Sequence, residues 1–344
     1  MKNKYIFTLL ILFLIINCTG KKNKYIIENF PVNDSLIFIT KPITCNLLRA
    51  TKIITTNKNL IVFDFQENDI FKVFELPTEK FLFSYGKTGK GPKEFNCVYG
   101  KTLMPIGDDF VFQDMLKLKT VAIGNNTLNV IKEQWLKPQS NPINGLVRLN
   151  DSLIIIDANK NDKFENTCLN LNNDNEIYNF NINDDDLNIG HNSKKEQAYI
   201  KASTTKPDGS KIAIFYIYLN EFKIFNNHFE LMKKIYINNK RLDNKFSIKN
   251  FQDNIIYNGC PYSTNKYIFV VNPNCSRNTI NKDINNYKPE ISVWDWNGNP
   301  IAHYKINKAI SCLAISEQYQ KIYAVSLSDM NSIFEVKIPK ILTN

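Results

Sequence analysis

Short, wholly apolar runs recur along the chain, and each ends on a polar or turn-forming residue. Leu60-Ile61-Val62-Phe63 leads to Asp64, Phe110-Val111-Phe112-Gln113 to Asp114, and Leu153-Ile154-Ile155-Ile156 to Asp157. Ile212-Ala213-Ile214-Phe215 leads to Tyr216, Ile268-Phe269-Val270-Val271 to Asn272, and Ile322-Tyr323-Ala324-Val325 to Ser326. No window keeps the i, i+3, i+4, i+7 apolar stripe of a long helix over three turns. β-Branched and aromatic runs bounded by Asn, Asp and Gly predict strands instead. A continuous run, rather than an alternating one, predicts a strand buried on both faces.

The six runs recur at a mean spacing of about 52 residues, the range of four-stranded propeller blades rather than of helical repeats. Companion strands are predicted around them. In the first repeat these are Ile70–Leu76 and Lys80–Tyr85; in the second, Lys117–Ile123 and Thr127–Lys132; in the fifth, Glu290–Trp296 and Pro300–Ile306. The reading is an all-β, six-bladed β-propeller of four-stranded blades. The last repeat offers Ser311–Ile315, Lys321–Leu327 and Ile333–Ile338, and lacks a fourth strand. The stretch Leu36–Thr40 has no partner near the first blade's inner strand, around Leu47–Thr56. It is expected to complete the sixth blade and so close the ring, which protects open sheet edges.

The N-terminus has a different pattern. Lys2 and Lys4 precede a twelve-residue apolar run, Tyr5 to Ile16, the layout of a secretory signal and too short for a membrane-spanning helix. Ile15-Ile16-Asn17-Cys18 resembles a bacterial lipobox, with Asn17 where the pattern prefers a small residue. The resemblance implies a signal peptide over residues 1–17, acylation of Cys18, a tether over 18–33 and a propeller over 34–344. Thr19, rather than Asp, after the cysteine favours the outer membrane, and the expected side is periplasmic. A cleaved, soluble, secreted protein is the alternative.

Composition changes this picture little. The chain has 344 residues, 43% hydrophobic and 22% charged, with a net charge of +10. Loss of Lys2 and Lys4 would leave +8. Lysines are scattered rather than clustered, and export separates the chain from the chromosome, so nucleic acid is not an expected partner. Apart from Cys18, six cysteines remain, without a CxxC pair. Cys260 and Cys275 are spaced to permit a disulfide, but buried free thiols are preferred for all six. Three isolated histidines (His191, His228, His303) and no H-E-x-x-H or G-x-S-x-G motif give neither a metal centre nor a nucleophile. Asp184-Asp185-Asp186 lacks EF-hand spacing and is expected to be a solvated loop. Trp294 and Trp296 are expected to serve blade packing. No catalytic residue, metal or cofactor is assigned.

One stretch is more specific: Tyr85-Gly86-Lys87-Thr88-Gly89-Lys90-Gly91-Pro92-Lys93-Glu94-Phe95. It cannot be a phosphate-binding loop, because Phe81 stands where that motif needs its first glycine and Pro92 follows where it needs a helix. It resembles instead the G-x-x-G-x-G-P-x-E-F turn of TolB-like six-bladed propeller lipoproteins, relatives of NHL-type blades. The resemblance implies a membrane-tethered propeller and no particular reaction. The loop should link the outer strand of one blade to the inner strand of the next, on the same face as the turns after Asp64, Asp114 and Asp157. The candidate binding residues are therefore Asp64, Asp114, Asp157, Lys87, Lys90 and Lys93, forming a polar rim around the channel for an anionic or mixed ligand. Turn formation by Asp and solvation by Lys are the alternative uses. The function expected is a non-catalytic scaffold for an envelope protein, small ligand or glycan, on a monomeric propeller. A propeller hydrolase or lyase acting on a polysaccharide or lactone is the rival.

Overall fold

The computed structural model describes residues 24–65, 68–91, 94–136, 145–157, 164–173, 175–181, 195–238, 246–326 and 328–343. These form six four-stranded antiparallel blades in chain order. Blade one runs through Ala50–Thr55, Asn59–Asp64, Phe71–Glu75 and Phe81–Tyr85. Blade two has Val98–Ile106, Asp109–Asp114, Lys117–Gly124 and Thr127–Trp135. Blade three has Leu146–Arg148, Leu153–Ile156, Phe164–Asn170 and Glu176–Asn181. Blade four has Lys201–Thr205, Lys211–Tyr216, Glu221–Asn226 and Leu231–Ile237. Blade five has Pro261–Ser263, Tyr267–Asn272, Glu290–Asp295 and Pro300–Ile306. Blade six has Ile310–Ser316, Lys321–Ser326 and Ser332–Lys337, with Ile39–Pro42 as its fourth strand.

The core explains the continuous apolar runs. Successive side chains of a strand point to opposite faces, and each second strand has a neighbouring blade on either side. Ile61 and Phe63 pack with Phe110 and Phe112 of blade two, whereas Leu60 and Val62 pack with Ala314 and Tyr323 of blade six. Likewise Ile154 and Ile156 join Val111 of blade two, and Ile155 joins Ile212 of blade four. Trp294 and Trp296 are both buried, between blades four and five.

The N-terminal segment is a strap across three blades. Lys24–Ile27 pairs in parallel with the outer strand of blade four, and Val32–Leu36 in parallel with that of blade five. Ile39–Pro42 then pairs antiparallel with Ser332–Lys337. Closure by an N-terminal strand is as expected, with a displaced boundary. The stretch Leu36–Thr40 is divided, because its first residue belongs to the strand on blade five. Within the segment expected as a tether, residues 24–27 and 32–33 are paired strand. Between the two outer pairings Phe30 meets the Trp294 ring edge-on at 4.8 Å, and Phe38 is buried between blades five and six with its N–H bonded to Asn307 Oδ1.

An ion network crosses the closure. Lys41 on the closing strand lies 3.2 Å from Glu335, which contacts Lys321, which lies 3.1 Å from Glu79 of blade one. Burial opposes ionisation of Glu335, but Lys321 and Lys41 outweigh it and hold the carboxyl below the usual range. Burial pushes the Glu79 carboxyl the other way, up, against its bond from Lys321.

Phe38→Ala is expected to lower stability by about 3–5 kcal/mol in urea denaturation. Ile37→Ala, whose side chain is 62% exposed, should change it by less than about 0.5 kcal/mol. The folded pKa of Glu335 is depressed, so its contribution is complete above the ordinary glutamate value and is lost as pH falls through the folded one. Glu335→Gln should therefore flatten the loss of stability below about pH 4.5, measured by thermal unfolding across an acid series.

Candidate functional site

Of the aspartates expected at the rim, Asp64 and Asp114 end their second strands and Asp157 directly follows its own; all three are buried. Asp64 Oδ2 accepts the Leu48 N–H at 2.6 Å and Oδ1 accepts the Arg49 N–H at 2.7 Å, where the chain enters the inner strand of blade one. Asp114 Oδ1 accepts the Cys97 N–H at 2.8 Å at the equivalent entry to blade two, and Oδ2 pairs with Lys119 Nζ at 2.7 Å. Asp157 accepts from Asn166 and from Ser203 Oγ of blade four, while its own N–H bonds the Gly145 carbonyl. Burial raises the Asp157 pKa, with Lys201 acting against it. Asn272 of blade five does the same work, accepting the Ser292 N–H and donating to the Tyr257 carbonyl. Asp64, Asp114 and Asn272 are thus latches that bond backbone groups beside the sheet, whereas the Asp157 carboxylate bonds side chains of blades three and four.

The glycine-rich loop does link blade one to blade two. Its glycines make room for two side chains. A Cβ on Gly86, whose φ is +92°, would meet the Phe95 ring at 2.7 Å, and one on Gly89 would strike the Glu94 carboxylate. Glu94 Oε2 accepts the Gly91 N–H at 2.7 Å, and Phe95 sits edge-on to both Phe71 and Phe112, plugging the junction between the blades. Lys87 and Lys90 stand exposed on this loop, and Lys93 lies outside the described residues, as do Asp184–Asp186, His191 and Cys18. The loop is on the face expected, since the Ile70 N–H beyond Asp64 bonds the Gly86 carbonyl at 3.0 Å. The structure does not bring Lys87 and Lys90 together with the three carboxylates in a cavity.

The central channel has a cavity at each end. On the face of the strand-entry links, one of about 340 Å³ is lined by Arg49, Thr51, Phe65, Tyr99, Lys101 and Gly145 among others. On the opposite face a mouth of about 930 Å³ is walled by blades one to five and by the hairpins at Gly107, Asn150–Ser152 and Lys206–Asp208. Its cations are Lys52, Lys101, Arg148 and Lys206. Arg148 is paired with Asp151, and Lys206 with Asp208 at 2.6 Å. Lys206, with Ser210, holds the Asp208 carboxyl down to about 2. Lys101 belongs to both cavities. It lies in a bulge of the inner strand, whose register shifts between Tyr99 and Met104, and a bulge re-aims side chains. Gly100 permits this, because a Cβ there would lie 2.3 Å from Phe63.

Sequence reasoning missed Lys52 and Lys101. Each stands among mixed neighbours, Thr51-Lys52-Ile53 and Gly100-Lys101-Thr102, so no apolar pattern sets it apart. Among the described residues, no group of three or more His, Cys, Asp or Glu side chains could hold a metal ion, and no helix is long and apolar enough to cross a membrane. All six described cysteines are free, and burial pushes the thiols of Cys168 and Cys312 up to about 12.

The model of a family described as TolB-like 6-blade propeller-like matches residues 47–318. Among solved structures, a DUF4221-family protein from Bacteroides vulgatus aligns with a TM-score of 0.55 at 11% identity, covering 87% of this chain and 97% of that one. Raptor from Chaetomium thermophilum aligns with a TM-score of 0.50 at 9% identity, covering 89% of this chain and 29% of that one. At these identities the likeness is one of fold. No curated protein matches the sequence.

Asp64→Ala removes a buried carboxylate that accepts two backbone N–H groups. It is expected to cost about 2–4 kcal/mol in chemical denaturation, a loss read on the fold whether or not any ligand is present.

Proposed function

Because the chain belongs to the TolB-like six-bladed propeller family, we propose that it is an exported lipoprotein whose propeller binds a ligand or another protein without catalysing a reaction. The observation that carries the binding role is the channel with a cavity at each end, the wider one walled by five blades. Rigid concave sites of several hundred Å³ with a few convergent polar groups are the usual form of a ligand site. The rigidity has a source here, since every blade is wedged between two apolar junctions.

The anchor is argued from the sequence: a basic start, a twelve-residue apolar run, and Cys18 at a lipobox position. Acylation there, by more than one chain, would hold the propeller stably at the outer membrane on its periplasmic side. An envelope protein or a small ligand is then the accessible partner.

Metabolic labelling with a palmitate analogue, followed by membrane fractionation, tests the anchor. The full chain should be labelled and sediment with membranes, and Cys18→Ala should be unlabelled. Absence of label on the unaltered chain would overturn the lipoprotein reading.

A further inference from the structure

We propose that the wide mouth of the channel is a binding site for a small organic polyanion, carrying carboxylate or phosphate groups, held by the ammonium groups of Lys52 and Lys101. This deepens the ligand-binding reading above and rests on it.

The argument begins with charge. Four cations and two carboxylates line the mouth. Asp151 and Asp208 are each engaged by a cation on their own hairpin, so the pairs largely cancel. Lys52 and Lys101 remain, on the adjacent inner strands of blades one and two, and no described carboxylate forms an ion pair with either. The buried Asp157 feels Lys201 more than Lys101, and its carboxylate is bonded to Ser203 and Asn166. Two cations with no described carboxylate in an ion pair, at a concave, low-dielectric wall, focus positive potential on the space between them.

The remaining polar groups narrow the ligand. A neutral sugar needs a ring of free hydroxyl and amide partners. The hydroxyls here are bonded to the protein: Ser203 to Asp157, Thr204 to Ser263, Thr205 to the Arg148 carbonyl, and Ser263 to the Thr205 carbonyl. Tyr262, the aromatic residue at the mouth, has its hydroxyl at 2.9 Å from Thr55 Oγ1 and packs against the apolar junctions on both sides of blade six. What the wall offers is charge, together with an apolar surface from Met104, Pro105, Leu149, Pro207 and Pro261. An organic anion with more than one charged group uses both.

The test is calorimetric titration of the full chain, extracted from membranes in detergent, with three probes: tricarballylate, glucose 1,6-bisphosphate and maltose. The expected result is saturable binding of at least one of the two anions, weakened by added salt, and none of maltose. Which anion binds assigns the charged group as carboxylate or phosphate. Lys52→Gln/Lys101→Gln should weaken that binding roughly 100-fold, about tenfold for each lysine. Lys87→Gln/Lys90→Gln, on the other face, should leave it unchanged. Lys52→Arg/Lys101→Arg should retain most of it, which guards against a folding defect in the glutamine pair. Binding that is equal in the glutamine variant overturns the site. Maltose binding without anion binding overturns the polyanion while leaving a ligand-binding propeller. No binding of any probe overturns the polyanion, whereas the scaffold reading then rests on its protein partners.

Discussion

A ring of sheets depends on its last contact. Each junction in this propeller buries apolar side chains from two blades, so an open ring would expose two apolar faces at once. Here the last contact is the antiparallel pairing of Ile39–Pro42 with Ser332–Lys337. Around it gather Phe38, the Asn307 bond and the Lys41–Glu335–Lys321–Glu79 network. Apolar burial supplies most of the driving force. The ion network adds specificity, since it is complete only when blade one, blade six and the N-terminal strand meet.

The two faces of the disc do different work. On the strand-entry face, Asp64 and Asp114 accept backbone N–H groups, and the glycine-rich loop places Glu94 and Phe95. On the opposite face the hairpins are shorter of such duties. They surround an open space, and their own charges are paired, while Lys52 and Lys101 of the inner strands face it without an ion pair to any described carboxylate. The glycine-rich stretch is thus a structural joint, and the wider of the two cavities opens at the other end of the channel.

The fold was legible because of a coincidence between period and geometry. A second strand buried by blades on both sides is apolar at every position, as Leu60–Phe63 and Ile154–Ile156 are, and such runs stand out. The closing strand was harder to bound. Its neighbourhood is an edge, where the partner rather than the local pattern sets register, so Leu36 fell to blade five and Pro42 to blade six. The site was least legible. Asp64, Asp114 and Asp157 announce turns, but whether a turn carboxylate faces solvent or backbone depends on the incoming chain. Lys101 owes its place to a bulge and to Gly100 against Phe63, neither of which leaves a mark in spacing.

The strap also sets an order of events in time. Its three pairings join residues near the start of the chain to partners roughly 200 to 300 positions later, contacts of the kind that slow folding because the loop must close before they reward it. Blades one to three can form from hairpins local in sequence, before the later blades are in place. The strap strands, Lys24–Ile27, Val32–Leu36 and Ile39–Pro42, must wait until blades four, five and six exist. During that interval the outer edges of blades four and five and the unfinished sheet of blade six are all open to the wrong strand. The chain is therefore most vulnerable to misassembly just before the strap pairs, and the segment that ends this vulnerability lies far from its partners in sequence.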